Sequence, residues 1–210
     1  MEDSHLPGLH AMSFQQQVAA IFSSAAAGKI DFQLDGFCVN PARLKQVGAA
    51  IACGRIELIQ SKKGGGLSAA YSPHSDRLTV PSKTNPAAHK YQVAIVHEGV
   101  HALVDIFGKG AGLTVLDDEA AAYLAEVVFH KAIHRPLPSG DSEKKIYEAA
   151  DKVATKHGLY GKKPVKLKSS DVKELREAIH AHPEYSSVLT TTKTTGHGLK
   201  RKMCVAKGRT

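Results

Sequence analysis

A chain of 210 residues, 42% hydrophobic and 23% charged with a mean hydropathy of −0.21, is long enough to bury a core of its own. It has no run of about 18 apolar residues to cross a bilayer, and MEDSHLPGLHAMSFQQQ lacks the basic start and apolar stretch of a secretory signal. The expectation is therefore a cytoplasmic protein without a transmembrane segment, with leaderless export left open. The net charge of +8 belongs mostly to one end: no acidic residue follows Glu184, while Lys193, Lys200, Arg201, Lys202, Lys207 and Arg209 follow it, leaving about +2 for the rest. That distribution argues against a specific nucleic-acid partner for the body of the chain. Cys38, Cys53 and Cys204 are odd in number and widely spaced, so they indicate neither a disulfide framework nor a cysteine-rich zinc module.

In chain order, SFQQQVAAIFSSAAA (13–27) has helical composition ending before Gly28, and PARLKQVGAAIAC (41–53) predicts a second helix opened by Pro41. RIELIQ (55–60) alternates and is β-branched, KKGGG (62–66) reads as a turn, and LSAAYS (67–72) reads as a returning strand. With RLTVPS after the turn at PHSD, residues 55–82 predict a small antiparallel meander. Helix follows: one from about Ala88 to Phe107 stopped at Gly108, one over 116–134 that starts acidic and ends basic, one from about 141 to His157 stopped by Gly158, and one from Asp171 that fades before Pro183. Asp171 and Glu174 have capping-box spacing. The order predicts an α+β protein rather than alternating βαβ units. Its expected organisation is an N-terminal helical region (1–54), a catalytic domain (55–183) and a flexible basic tail (184–210).

The chemistry sits in AIVHEGVHALVD, residues 94–105. On a helix His97 and His101 share one face a turn apart and can clamp one metal ion, while Glu98 is rotated by about 100°, within reach of a water on that ion. H-E-x-x-H supplies what hydrolytic zinc chemistry requires, two neutral nitrogen ligands and a carboxylate free to take a proton. The flanking residues are apolar, and an ionisable trio in such a setting is costly unless something compensates it. A catalytic zinc takes a third protein ligand. Glu119, Tyr123, Glu126 and His130 form a polar stripe at i, i+4, i+7 and i+11 on the next helix. Glu119 is the first choice as ligand, with Asp117, Asp118 and Glu126 as fallbacks. Gly99, between the histidines, costs a helix about 1 kcal/mol relative to Ala, which predicts close approach of another backbone.

HEGVH at 97–101 and DDEAAAYLAE at 117–126 resemble the zincin metallopeptidases, and among them the thermolysin-like gluzincins, over about residues 55–135. The resemblance implies a zincin-like fold, a small antiparallel or mixed sheet packed on the motif helix with further helices C-terminal to it, and an edge strand that binds an extended substrate. It implies one zinc per chain held by His97, His101 and Glu119, and hydrolysis of a peptide or protein by a zinc-activated water with Glu98 as general base. Gluzincins commonly carry an Asp four residues after the third ligand to orient a histidine. Here that position is Tyr123, which leaves the orienting role to Asp105 or Glu126. The group that stabilises the oxyanion, a Tyr or His from a later segment in this fold group, is open among Tyr123, Tyr147, His134 and His157. His130 and His134 are otherwise expected as surface histidines at a helix end. The competing readings are a non-catalytic zincin-like metal-binding or regulatory protein, an effector or toxin protease delivered to one target, and a salt-sensitive anionic-surface binder acting through 185–210.

Overall fold

The computed structural model describes residues 12–61, 69–108, 112–138, 140, 143–187, 191–194, 196 and 198–199. The protein is α+β, with six α-helices and two three-stranded mixed sheets. Helix α1 (Phe14–Ile21) opens on a capping box in which Ser13 and Gln16 satisfy each other's backbone N–H groups. After a 3-10 turn (Ala27–Lys29), strands β1 (Phe32–Leu34) and β2 (Phe37–Val39) form a hairpin across Asp35-Gly36. Both turn residues have positive φ, 45° and 87°, as a tight two-residue hairpin demands. Helix α2 (Pro41–Ala52) has Asn40 as its cap and Pro41 at its first turn.

Strands β3 (Glu57–Ser61), β4 (Ala70–Ser72) and β5 (Arg77–Pro81) make the second sheet, but not as the predicted antiparallel meander. The order is β3-β5-β4, with β3 parallel to β5 and only β4 antiparallel. Strand β5 takes the centre because its alternate residues Leu78 and Val80 are buried, whereas β3 and β4 carry no fully buried position. The predicted turn at 62–66 and the start of the returning strand lie outside the described residues. Strand β6 (Val165–Leu167) runs parallel to β1 and ties residues 32–34 to the C-terminal third of the chain. Neither β1, β2 nor β6 was expected.

Helices α3 (His89–Phe107) and α4 (Val115–Ala132) form the centre of the molecule. Thr114 caps α4 in a capping box with Asp117. Helix α4 packs on α3, on α5 (Lys144–His157) and on α6 (Lys173–His180). Every residue from Ala120 to His130 is buried, so no face of this stretch is left for solvent. The predicted cap of α6 does not form: Asp171 accepts from the Lys168 backbone N–H and Glu174 pairs with Lys152. Where a flexible tail was expected, Val115 N–H donates to Thr192 O, Thr194 N–H to Leu113 O and Gly198 N–H to Asp105 O, so part of 184–199 is laid along the α3–α4 loop and the end of α3. Cys38 is a free thiol. Among the described residues no helix is long and apolar enough to cross a membrane.

Gly99 is explained by a side chain rather than by a backbone. A Cβ built there would meet Phe22 Cε1 at 2.0 Å and Cζ at 2.5 Å, and the Phe22 ring is 1% exposed with no room to retreat. Gly99→Ala should therefore destabilise by about 1–3 kcal/mol, the usual cost of overpacking, although Ala is the better helix former. Denaturant unfolding measures this; an unchanged or raised midpoint would show that the ring does not fix this position.

Candidate metal centre

Successive contacts between α3 and α4 run in opposite order, His97 to Glu126 and Glu119, His101 to Glu119 and Asp118, so the two helices lie antiparallel. The i, i+4 pair on α3 thus faces the polar stripe on α4. His97, Glu98 and His101 bring ligand-type atoms within 4.8 Å of one another. The Glu119 carboxylate stands opposite both rings, with Oε2 3.4 Å from His97 Nε2 and Oε1 3.7 Å from His101 Nε2. The other ring nitrogens turn to different acids: His97 Nδ1 lies 3.4 Å from Glu126 Oε1, and His101 Nδ1 lies 2.9 Å from Asp118 Oδ1. Tyr147 in turn donates to Glu126 Oε2 at 2.6 Å. His101 is held by Asp118 at Nδ1 and His97 has Glu126 beside its Nδ1 at the longer distance, with both Nε2 atoms turned toward a third carboxylate.

The separations at Nε2 are too long for good hydrogen bonds, and Glu119 Oε2 is buried without a hydrogen-bond partner. A buried carboxylate oxygen left this way is unfavourable. A cation between Glu119 and the two Nε2 atoms would satisfy all three, so the donor set fits a divalent metal of the nitrogen- and oxygen-preferring kind. Glu98 is held from outside: the Tyr71 backbone N–H on β4 donates to its Oε2 at 2.6 Å. The Tyr71 hydroxyl donates to Asp105 Oδ2 at 2.8 Å, which pins β4 to α3.

Burial opposes protonation of both histidines, yet their carboxylate neighbours outweigh it: His97 is raised well above its ordinary value, chiefly by Glu126, and His101 is raised to about 9, chiefly by Asp118. Burial raises Glu98, with the two histidines pulling the other way. Glu119 is lowered in spite of its burial, by His97 and His101. Burial raises Tyr123, Tyr147 and Tyr185, so all three phenols stay protonated.

A cavity of about 640 Å³ opens beside these groups, lined among others by His97, Glu98, Tyr123, Glu126, Tyr147 and Tyr185. Its size suits a substrate segment. Of the residues expected here, His97, Glu98, His101, Glu119, Tyr123 and Glu126 are brought together, the Tyr123 ring standing edge-on to His97 at 4.9 Å. Asp118, a fallback ligand, holds His101 Nδ1 instead. Asp117 is turned away, capping Thr114 and facing Arg176 at 3.6 Å. Asp105 accepts from the Tyr71 hydroxyl. Neither His134 nor His157 lines the cavity. His130, expected at the surface, is 8% exposed and lines the cavity, because α4 is covered by α5 as well as by α3. Tyr185 was missed altogether: it follows α6, in what read as tail, and its hydroxyl contacts Glu119 and Tyr123. Only the fold brings it there.

Comparison of the chain with protein-family models, with curated proteins and with solved structures returns no match. The site therefore rests on its own geometry. Two results should follow from that geometry. For a divalent metal taken up at this site, Asp118→Asn and Glu126→Gln should each weaken binding by about 10–100-fold in chelator competition, the usual effect of losing a group that orients a ligand; unchanged affinity would mean that these acids do not set the rings. Metal binding needs neutral imidazole, and the acids beside His97 and His101 favour the charged form of both rings, so affinity for a divalent metal should rise with pH across the range in which the two rings lose their protons. The metal-free protein should instead lose stability as pH climbs from the unfolded value of 6.5 through about 9, since the folded state then gives up a proton that it held more tightly than the unfolded chain. Thermal melts across that window check the second point; a rising melting temperature would contradict it.

Proposed function

We propose that the protein is a zinc-dependent metallopeptidase, a hydrolase of the zincin type and similar to the gluzincins, in which His97, His101 and Glu119 hold one zinc and Glu98 is the general base. One observation carries the reading: the Glu119 carboxylate faces the two Nε2 atoms at 3.4 and 3.7 Å, and a carboxylate oxygen of Glu98 lies within 4.8 Å of ligand atoms of both histidines. When bound, zinc supplies a Lewis acid that polarises the scissile carbonyl and acidifies a water.

The chain's own groups do the rest. Glu98 is fixed through Oε2 by the Tyr71 backbone N–H, so Oε1 can take the proton of the attacking water and hand it to the leaving amine nitrogen. Burial raises its pKa, which suits a group that must both accept and release a proton. The β4 strand is at the edge of its sheet and carries Tyr71, so an extended peptide paired alongside it would pass Glu98. Tyr185, kept as a phenol beside Glu119 and on the cavity wall, is placed to donate its hydroxyl to the carbonyl oxygen as negative charge develops there.

Glu98→Gln should keep its zinc and lose about 10²–10⁴-fold in kcat on peptide substrates, read by cleavage of an unfolded protein or a mixed peptide library with zinc content measured in parallel. A fully active variant would remove Glu98 from the mechanism. Tyr185→Phe should lower kcat by about 10²-fold with a much smaller change in KM; an equal rise in KM with kcat unchanged would make Tyr185 a binding group only.

A further inference from the structure

The cavity extends past the groups used above to His130, Pro138, Glu143 and Glu184. Its charge is one-sided. Glu98, Glu126, Glu143 and Glu184 face it, against Lys90 at its rim, whose ammonium lies 5.0 Å over the Tyr91 ring. Glu98 is bound by Tyr71, and Glu126 by Tyr147 and His97. Among the described residues, Glu143 and Glu184 have no ion-pair partner within 4.0 Å, and the carboxyl of half-buried Glu143 is pushed up by burial and by the charge of Glu126. His130 gives an independent sign of a missing ligand. It is 8% exposed, and both of its ring nitrogens are buried without a hydrogen-bond partner. Burial holds it toward the neutral form, in which one nitrogen is an acceptor. Tyr123 and Tyr147 add aromatic walls, which attract a cation over their faces.

We infer that this part of the cavity is a subsite for the side chain of a lysine or arginine in the substrate, with Glu143 and Glu184 as counter-charges and His130 as a neutral acceptor deeper in. The assignment of that side chain to a peptide substrate rests on the peptidase reading; the preference for an alkyl cation does not. The geometry explains why α4 carries a buried imidazole one turn beyond Glu126, and why two further segments, at 143 and 184, add carboxylates to the cavity wall beyond Glu98 and Glu126.

The test uses the full chain loaded with zinc and two kinds of probe. The first is n-butylguanidinium and n-butylammonium, with n-pentanol as the uncharged control, followed by NMR shifts. Saturable binding of the cations, at least about tenfold tighter than pentanol and weakened about 10–100-fold by Glu143→Gln, is expected for a charge-assisted contact. His130→Phe, which keeps the ring volume, should also weaken the cations more than pentanol. The second is a set of N-acetylated, C-amidated peptides differing only in Lys, Arg, norleucine or Glu at each position in turn. Cleavage should favour Lys or Arg over norleucine at one position, and Glu143→Gln should collapse that ratio. Cation binding without any peptide cleavage would leave the subsite standing and remove the peptidase. Cleavage with no Lys or Arg preference, or cations binding no better than pentanol, would overturn the subsite.

Discussion

The architecture depends on one constraint, the burial of a polar stripe on a helix with no solvent face. Helix α4 is covered from Ala120 to His130, yet it carries Tyr123, Glu126 and His130 within that stretch and Glu119 just before it. Buried polar and charged groups must find partners or the fold loses several kcal/mol. The partners come from α3, where two histidines one turn apart present their rings to the stripe. The packing of the two central helices and the assembly of the site are therefore one event, and a change in the α3–α4 register would strand the acids and the imidazoles together.

From that contact the ordering spreads outward in steps. Tyr147 on α5 fixes Glu126, Glu126 fixes His97, and Asp118 fixes His101. In the low dielectric between the helices each link strengthens the next. On the other side of α3, β4 is tied twice by Tyr71, through its backbone to Glu98 and through its hydroxyl to Asp105. Glu98 is thus positioned by the sheet and the two imidazoles by α4, so the two halves of the proposed reaction would be held by different layers that meet on one helix. Phe22, filling the notch at Gly99, sets how closely the N-terminal helices approach that same turn.

Much of this was legible in the chain. H-E-x-x-H spacing and the stripe on the following helix have helical periodicity, and periodicity survives without knowledge of the fold. Pro41, Gly108 and Gly158 mark helix ends because they act locally. What escaped depends on contacts between distant residues. Strands β1, β2 and β6 are three residues each, too short for alternation to register, although Asp35-Gly36 carries a hairpin signal. The parallel pairing of β3 with β5 joins strands distant enough in sequence that the turns between them do not announce it. His130 read as a surface residue because Lys131 and Arg135 flank it; burial by α5 outweighs that local context. Tyr185 lies 66 residues beyond Glu119 in a basic, Thr-rich stretch, and nothing near it in sequence points to a carboxylate.

The central claim is that His97, His101 and Glu119 together bind one metal ion. Anomalous diffraction at the zinc edge on crystals grown with zinc tests it most directly. One strong peak per chain is expected within bonding distance of both Nε2 atoms and of a Glu119 oxygen, with Asp118 and Glu126 still against the two Nδ1 atoms. A chain that takes up no zinc, or a peak ligated without Glu119, would contradict it.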